Sequence, residues 1–211
     1  MSKTMHQFLT TCPIAIQATF REMTFQPGEL LLTQGDPADC VYLLLEGEAG
    51  VYHLTLNGIQ VLESIYGTAE LFGELEVLNA RPIICHVRAR TVCRVIRIEA
   101  ASFIRWLQAD PDFALFICRQ LADKLYHASL ASVTNIAYPL KYRVLYFLWT
   151  ASQRGSSSIR KEDVIAGLGS NERSINRVVR ELIDAGLIEA DRGAIRIRSQ
   201  SDIVHEMSRF E

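Results

Sequence analysis

From Thr19 to Glu99 the sequence is cut into short apolar or alternating runs: ELLLT, CVYLLLE, GVYHLTL, GIQVLES, IICHVRA and CRVIRIE. Alternation places successive side chains on opposite faces of a strand, so each run reads as a short β-strand. Gly28, Gly35, Gly47, Gly58, Gly67 and Gly73 stand between the runs. Glycine reaches positive φ without a Cβ penalty, which tight antiparallel connections demand. This stretch is expected to close as an antiparallel roll or barrel.

At about Ala100 the period becomes helical. ASFIRWLQ reads as a short helix, and after Asp110-Pro111 a long one begins, with Asp110 as its N-cap and Pro111 at the first helical position. Phe113, Ile117, Leu121, Leu125 and Ala128 recur every three or four residues as one stripe. The pattern runs to about Asn135, and about 25 helical residues span roughly 37 Å, longer than a small roll can cover. The stripe is therefore expected to serve as a dimer seam, with packing on the roll as the simpler reading. Pro139 interrupts the periodicity, because the residue before proline avoids the α region, and LKYRVLYFLWTASQ follows as a second helix.

Beyond the loop RGSSS comes IRKEDVIAGLGSNERSINRVVRELIDAGLIEADRGAIRIR. A short helix directs Val164 and Leu168 inward, Gly169 turns the chain, and Ser170 or Asn171 caps the next helix. Ile175, Val178, Val179 and Leu182 form that helix's inner face, leaving Arg173, Asn176, Arg177 and Arg180 outside. A DRG turn between apolar runs makes a β-hairpin bearing Arg192, Arg196 and Arg198. Helix, turn, helix and hairpin in this order form a winged helix-turn-helix, which sets its second helix in the DNA major groove. Asn171, Arg173, Ser174, Asn176, Arg177, Arg180, Arg192 and Arg196 are the expected DNA contacts, the helical arginines and asparagine toward bases and the hairpin arginines toward phosphates. The fold class expected is α+β: a jelly-roll-like β-roll over 1–110, a long dimerisation helix with a hinge over 111–138, and a DNA-binding winged helix-turn-helix over 139–211.

Charge neither demands nor forbids nucleic acid: the formal net charge is −2 over 211 residues. Residues 1–138 carry 10 basic and 14 acidic side chains, whereas 139–211 carry 12 and 10. The first residues, MSKTMHQFLTTCPIAI, contain neither an export signal nor a membrane-spanning run, so a cytoplasmic protein with no membrane partner is expected. Five cysteines without a CxxC pair read as free thiols in a reducing compartment.

In these marks the chain resembles the CRP/FNR superfamily of bacterial transcription regulators from about Leu9 to Ile203. PGELLLTQGDPADCVYLLLEG is similar to the family's glycine-marked first strands, FGELEVLN to the opening of its phosphate-binding cassette, and VRARTVCRVIRI to its closing strands. The long helix and the winged helix-turn-helix complete the match. The resemblance implies a cyclic-nucleotide-binding-like roll, a homodimer joined along the long helix, a pseudo-palindromic double-stranded DNA operator, and RNA polymerase and an unidentified small-molecule effector as further partners.

It also implies a pocket. In cyclic-AMP-binding members the glutamate of the GEL turn binds the ribose, and an Arg-Ser pair before the V-R-A strand binds the phosphate. Glu74 matches the first, but Ile83 and Ile84 occupy the place of the pair, and Ala128 followed by Ser129 replaces the adenine-contacting threonine. Each lost charge-assisted hydrogen bond is worth about 1.5–3 kcal/mol, so cyclic AMP is not expected as a cofactor. The candidate effector pocket is Gly73, Glu74, Leu75, Ile83, Ile84, Cys85, Ala128 and Ser129, to be filled by an apolar effector or by nothing. The simpler role for Glu74 is to accept amides of its own turn. On the reading helix, Arg173 stands where many members carry a glutamate, with Glu172 one position earlier, so a different half-site is expected.

Other readings demand residues placed differently. A redox or gas sensor of the same fold would need an N-terminal thiolate cluster, where only Cys12 stands, a Cys85–Cys93 switch, or haem ligation by His53 or His86. A cupin-type metalloenzyme would need clustered ligands, whereas His6, His53, His86, His127 and His205 are scattered; no metal, haem or iron–sulfur cofactor and no enzymatic activity are expected. An effector-binding module acting through a protein partner is the remaining alternative.

Overall fold

The computed structural model describes residues 3–153 and 157–210; residues 154–156 of the RGSSS loop lie outside the described residues. In chain order the elements are α1 (Met5–Thr11), α2 (Ile14–Gln17), β1 (Arg21–Phe25), β2 (Leu30–Leu32), β3 (Cys40–Glu46), β4 (Ala49–Leu54), β5 (Gln60–Tyr66), β6 (Leu71–Phe72), α3 (Glu74–Asn79), β7 (His86–Ala89), β8 (Cys93–Glu99), α4 (Ala100–Ala109), α5 (Pro111–Ala137), α6 (Leu140–Gln153), β9 (Ile159–Arg160), α7 (Lys161–Leu168), α8 (Glu172–Asp184), β10 (Ile188–Asp191), β11 (Ala194–Ile197) and α9 (Gln200–Ser208). They form two compact units, Met1–Tyr126 and His127–Glu211, divided within α5. The fold is α+β, as expected.

The first unit holds two antiparallel four-stranded sheets, ordered β1-β8-β3-β6 and β2-β7-β4-β5. Strand alternation feeds two cores at once. Cys40, Tyr42 and Leu44 of β3, with Cys93 and Val95 of β8, join Val51, Phe72, Ile83 and Val87 inside the roll. Val41 and Leu43, with Ile96 and Ile98, turn to the other face and meet Phe8, Phe103, Trp106, Phe113 and Ile117 from the helices. Both faces of β3 are covered, which explains its nearly unbroken apolar run. Trp106 and Phe113 stack at 3.7 Å, joining α4 to the start of α5. Asp110 caps α5 as expected: its Oδ1 accepts the amides of Asp112 and Phe113.

The long helix divides its stripe. Phe113 and Ile117 are buried in the roll's outer core and Leu121 packs against it, whereas Leu125 is 69% exposed and Ala128 is exposed. Packing on its own roll, the simpler reading, thus holds for the first turns. The chain continues helical to Ala137, two residues past the expected end.

Gly28, Gly35, Gly47, Gly58 and Gly73 have positive φ, but Gly67 does not; Ala69, at φ 72°, is the left-handed residue of that turn. There the Gly67 amide donates to Glu70 Oε2, a bond that any residue's amide can make. The IICHVRA run is strand only from His86, because the Ile83 backbone is used elsewhere: its amide donates to Asp36 O and its carbonyl accepts the Gly35 amide.

The second unit is built around α6, whose Val144, Leu145 and Leu148 are fully buried with Ile175, Leu182, Ile188, Ile195, Ile203 and Met207. Two elements were not read from the sequence. β9 pairs with β11 and makes the hairpin a three-stranded sheet, and α9 is held by ion pairing of Lys141 with Glu206. No helix among the described residues is long and apolar enough to cross a membrane.

Candidate nucleic-acid interface and ligand cradle

The reading head is shaped by local chemistry. α7 ends at Gly169 in the left-handed region, φ 55°, and Asn171 Oδ1 accepts the Arg173 amide at 2.9 Å, capping α8. Of the two caps read from the sequence, Asn171 fills the role. Ile175, Val178, Val179 and Leu182 are buried, so α8 can be rotated only one way about its axis. Arg173, Arg177 and Arg180 consequently face solvent, and Ser174 is half-buried. Arg173 and Arg180 form no ion pair with the described residues, and Arg177 reaches Glu181 Oε1 only at 3.9 Å with both side chains exposed. Such a pair contributes little. Asn176 is half-buried, with its Oδ1 enclosed and without a hydrogen-bond partner among the described residues.

β10 and β11 pair from Ile188↔Ile197 to Asp191↔Ala194. Arg192 and Gly193 turn the hairpin with φ 46° and 83°, the double positive φ that a two-residue hairpin loop of the right twist requires. Arg192 and Arg196 are exposed and unpaired among the described residues, while Arg198 Nε donates to Glu189 Oε1 at 3.0 Å. Between α8 and the hairpin lies a cleft of about 330 Å³, lined in part by Lys161, Asn176, Arg180 and Arg192. Lys161, Arg180 and Arg192 are cationic and Asp191, which also lines the cleft, is acidic, so the charge of the lining is net positive.

In the roll, Gly73 has φ 90°, and a Cβ there would meet Cys40 O at 2.8 Å, so the turn that presents Glu74 accepts only glycine without strain. Glu74 is 4% exposed. It does not bind amides of its own turn, as the simpler expectation had it: its Oε1 accepts from the Lys124 ammonium at 2.7 Å. Lys124 also donates to Leu71 O at 2.8 Å and lies 4.6 Å from the Tyr66 ring centroid. Burial alone would lower the lysine pKa, but the Glu74 carboxylate and Tyr66 outweigh it and raise the value, so the ammonium stays charged. Glu76 is also buried, and its Oε1 accepts the Ile84 amide at 3.1 Å.

The two isoleucines separate. Ile83 is 3% exposed within the roll's inner core and Ile84 is 54% exposed, with Leu75 and Leu78 also exposed on α3. The hydrogen bonds of Ile83 with Gly35 and Asp36 hold the loop in register, which leaves Arg81 outside as an exposed residue. Cys85 is half-buried, and burial, with the Glu63 and Glu76 carboxylates, pushes its thiol pKa up to about 12. Ala128 and Ser129 are exposed and belong to the second unit, whereas the other six candidate pocket residues belong to the first. Lys124 and Tyr66 were not among the candidates. Lys124 stands four residues before Ala128, one helical turn away, and that spacing was the available signal.

Residues 22–110 match the family of the cyclic nucleotide-binding domain. Over 94% of this chain and 91% of the relative, the sequence is 21% identical to a CRP-like cAMP-activated global transcriptional regulator of Mycobacterium tuberculosis. It is 22% identical to the cyclic AMP receptor protein of Thermus thermophilus over 85% of this chain and 84% of that protein. Among solved structures, a transcriptional regulator of the CRP/FNR family from Thermus thermophilus superposes with a TM-score of 0.75 at 20% identity, covering 89% of this chain and 98% of its own. A mutant of CooA from Carboxydothermus hydrogenoformans superposes with a TM-score of 0.80 at 14% identity, covering 98% of this chain and 97% of its own.

Proposed function

This chain has the CRP/FNR fold, with a cyclic nucleotide-binding-type domain over 22–110, and we propose that it is a homodimeric, sequence-specific DNA-binding transcription regulator that does not depend on cyclic AMP. The observation that carries the reading is the outer face of α8, where Arg173, Arg177 and Arg180 are exposed beside a tightly turned hairpin bearing Arg192 and Arg196. Arginine donates two parallel hydrogen bonds to guanine O6 and N7, and Arg173 and Arg177 are assigned that task. Ser174, Arg180, Arg192 and Arg196 contact the backbone, and Asn171 serves chiefly as the cap that aims the helix. Asn176 contributes a base contact through its amide nitrogen.

The dimer reading rests on the second half of α5, where Leu125, Tyr126, Leu130, Val133 and Ile136 are exposed at helical spacing. Two copies joined there would set their reading helices in major grooves about 34 Å apart on a pseudo-palindromic site. The chain then divides by role into the roll (1–110), the dimer helix with a hinge near Tyr138-Pro139 (111–138) and the reading head (139–211). Independence from cyclic AMP is supported by the phosphate end of the cradle, where Ile83 is buried in the core in the place of an Arg-Ser pair. The protein would act in the cytoplasm, with RNA polymerase as its downstream partner, and would not be an enzyme.

Selection of bound sequences from random DNA duplexes by the purified protein, with and without cyclic AMP, tests the reading. A two-fold site enriched without nucleotide is the expected result. Enrichment only with cyclic AMP would overturn the effector assignment, and no enrichment under either condition would overturn DNA reading.

A further inference from the structure

We propose that Arg143 is the positioning residue that fixes the angle between the end of α5 and the reading helix, and through it the half-site spacing that the dimer accepts. The proposal deepens the dimeric DNA reading and rests on it. Arg143 stands on α6, half-buried, one turn past the break at Pro139. Its Nε donates to Asn135 Oδ1 of α5 at 3.0 Å, and its Nη2 donates to the carbonyl of Leu168, the last residue of α7, at 2.8 Å. Nε and one Nη lie along a single edge of the planar guanidinium, so the two acceptors are held side by side. One rigid group thus ties the helix before the break to the helix-turn-helix after it.

Neighbouring contacts brace the same junction. The Tyr138 amide donates to Thr134 O at 3.3 Å, the Arg143 amide donates to Pro139 O at 3.2 Å, and the Tyr138 and Tyr142 rings stack at 3.9 Å across the break. Thr134 is the one buried residue between Leu125 and Ala137, which marks where this half of α5 leans on the rest of its unit. On the other side, Leu168 O also accepts the Ser170 hydroxyl at 3.3 Å, and only Gly169, Ser170 and Asn171 separate it from α8. The guanidinium is well placed for this carbonyl, because a cation at a helix C-terminus meets the negative end of the α7 dipole. A rotation at Tyr138-Pro139 would carry Leu168 away from Asn135, and one edge of one side chain could then no longer reach both oxygens.

Full-length wild type, Arg143→Lys and Asn135→Ala should be titrated on the selected operator and on operators with one base pair added to or removed from the spacer, with melting temperatures alongside. One base pair moves a half-site by about 3.4 Å and roughly a tenth of a turn, so the wild type should bind the respaced operators at least about tenfold more weakly than its own. Lysine keeps the charge but lacks the two-donor edge, and Asn135 is exposed, so its truncation spares the core. In both variants the ratio should fall to about threefold or less, with melting temperatures within about 4 °C of the wild type. A wild-type ratio in either variant would overturn the proposal, and so would a wild type indifferent to spacing. An equal loss on every operator with a lowered melting temperature would make Arg143 merely structural and overturn it too. Should the wild type select no two-fold site at all, the dimeric reading itself fails and this proposal falls with it, an outcome distinct from a site that the variants read as strictly as the wild type.

Discussion

Gly167 of α7 lies under the ring of Phe147 of α6: a Cβ at Gly167 would stand 2.4 Å from Phe147 Cε2. The closeness lets α7 settle onto α6 and sets the position from which Gly169 launches the reading helix. Gly167→Ala should gain about 1 kcal/mol of helix propensity and lose about 1–3 kcal/mol to the displaced ring. A net loss of stability is the expected result of chemical denaturation, and a stabilised variant would show that the ring swings aside at no cost.

Arg177 and Arg196 should fail differently. Arg177→Ala is expected to lose about 1–3 kcal/mol on the selected operator with little change on random DNA. Arg196→Ala, on the wing, should weaken both by similar amounts and reduce the salt dependence of log K by about one phosphate contact. Binding titrations at several salt concentrations separate the two outcomes.

The thiols differ in the same measurable way. Burial, with Asp110 nearby, pushes the Cys12 pKa up to about 11, and burial, with Asp39 nearby, does the same for Cys40. Cys85 stands at about 12, while Cys118 is exposed. The thiolate is the reactive form, so at pH 8 roughly one in a thousand molecules is reactive at a site of pKa 11. Iodoacetamide at pH 8 should place one fast adduct, at Cys118, in the mass spectrum of the intact protein. Fast labelling of Cys85 would contradict its burial.

Acid should loosen α9. Hydrogen bonds from Lys141 and then Arg209 hold the Glu206 carboxyl below its usual range, despite partial burial that acts the other way. A depressed carboxyl stabilises the fold above the unfolded value, about 4.3, and that contribution drains away as pH falls through the folded value. Glu206→Gln should therefore cost about 1–2 kcal/mol at pH 7 and converge with the wild type as the pH drops below that range. Thermal melts from pH 7 to pH 3 give the comparison, and a constant gap would place the effect elsewhere.

What could be read from the sequence was what neighbouring residues decide. Asp110 and Pro111 start a helix because the cap and the missing proline amide act within one turn. The head from Val164 to Leu182 was legible for the same reason, since a glycine, an asparagine cap and a 3.6-residue period settle orientation locally. The Arg192-Gly193 turn belongs with them. The replacement at Ile83-Ile84 was visible too, because it is a matter of identity at a position. Tertiary structure alone decided which isoleucine faces the core, how the stripe of α5 divides between its own roll and exposure, and where the charge of Glu74 goes. Glu74 and Lys124 are fifty positions apart in sequence. No local period or cap links such residues: they meet because the helix packs across the closed roll, where the buried Glu74 carboxylate requires a countercharge.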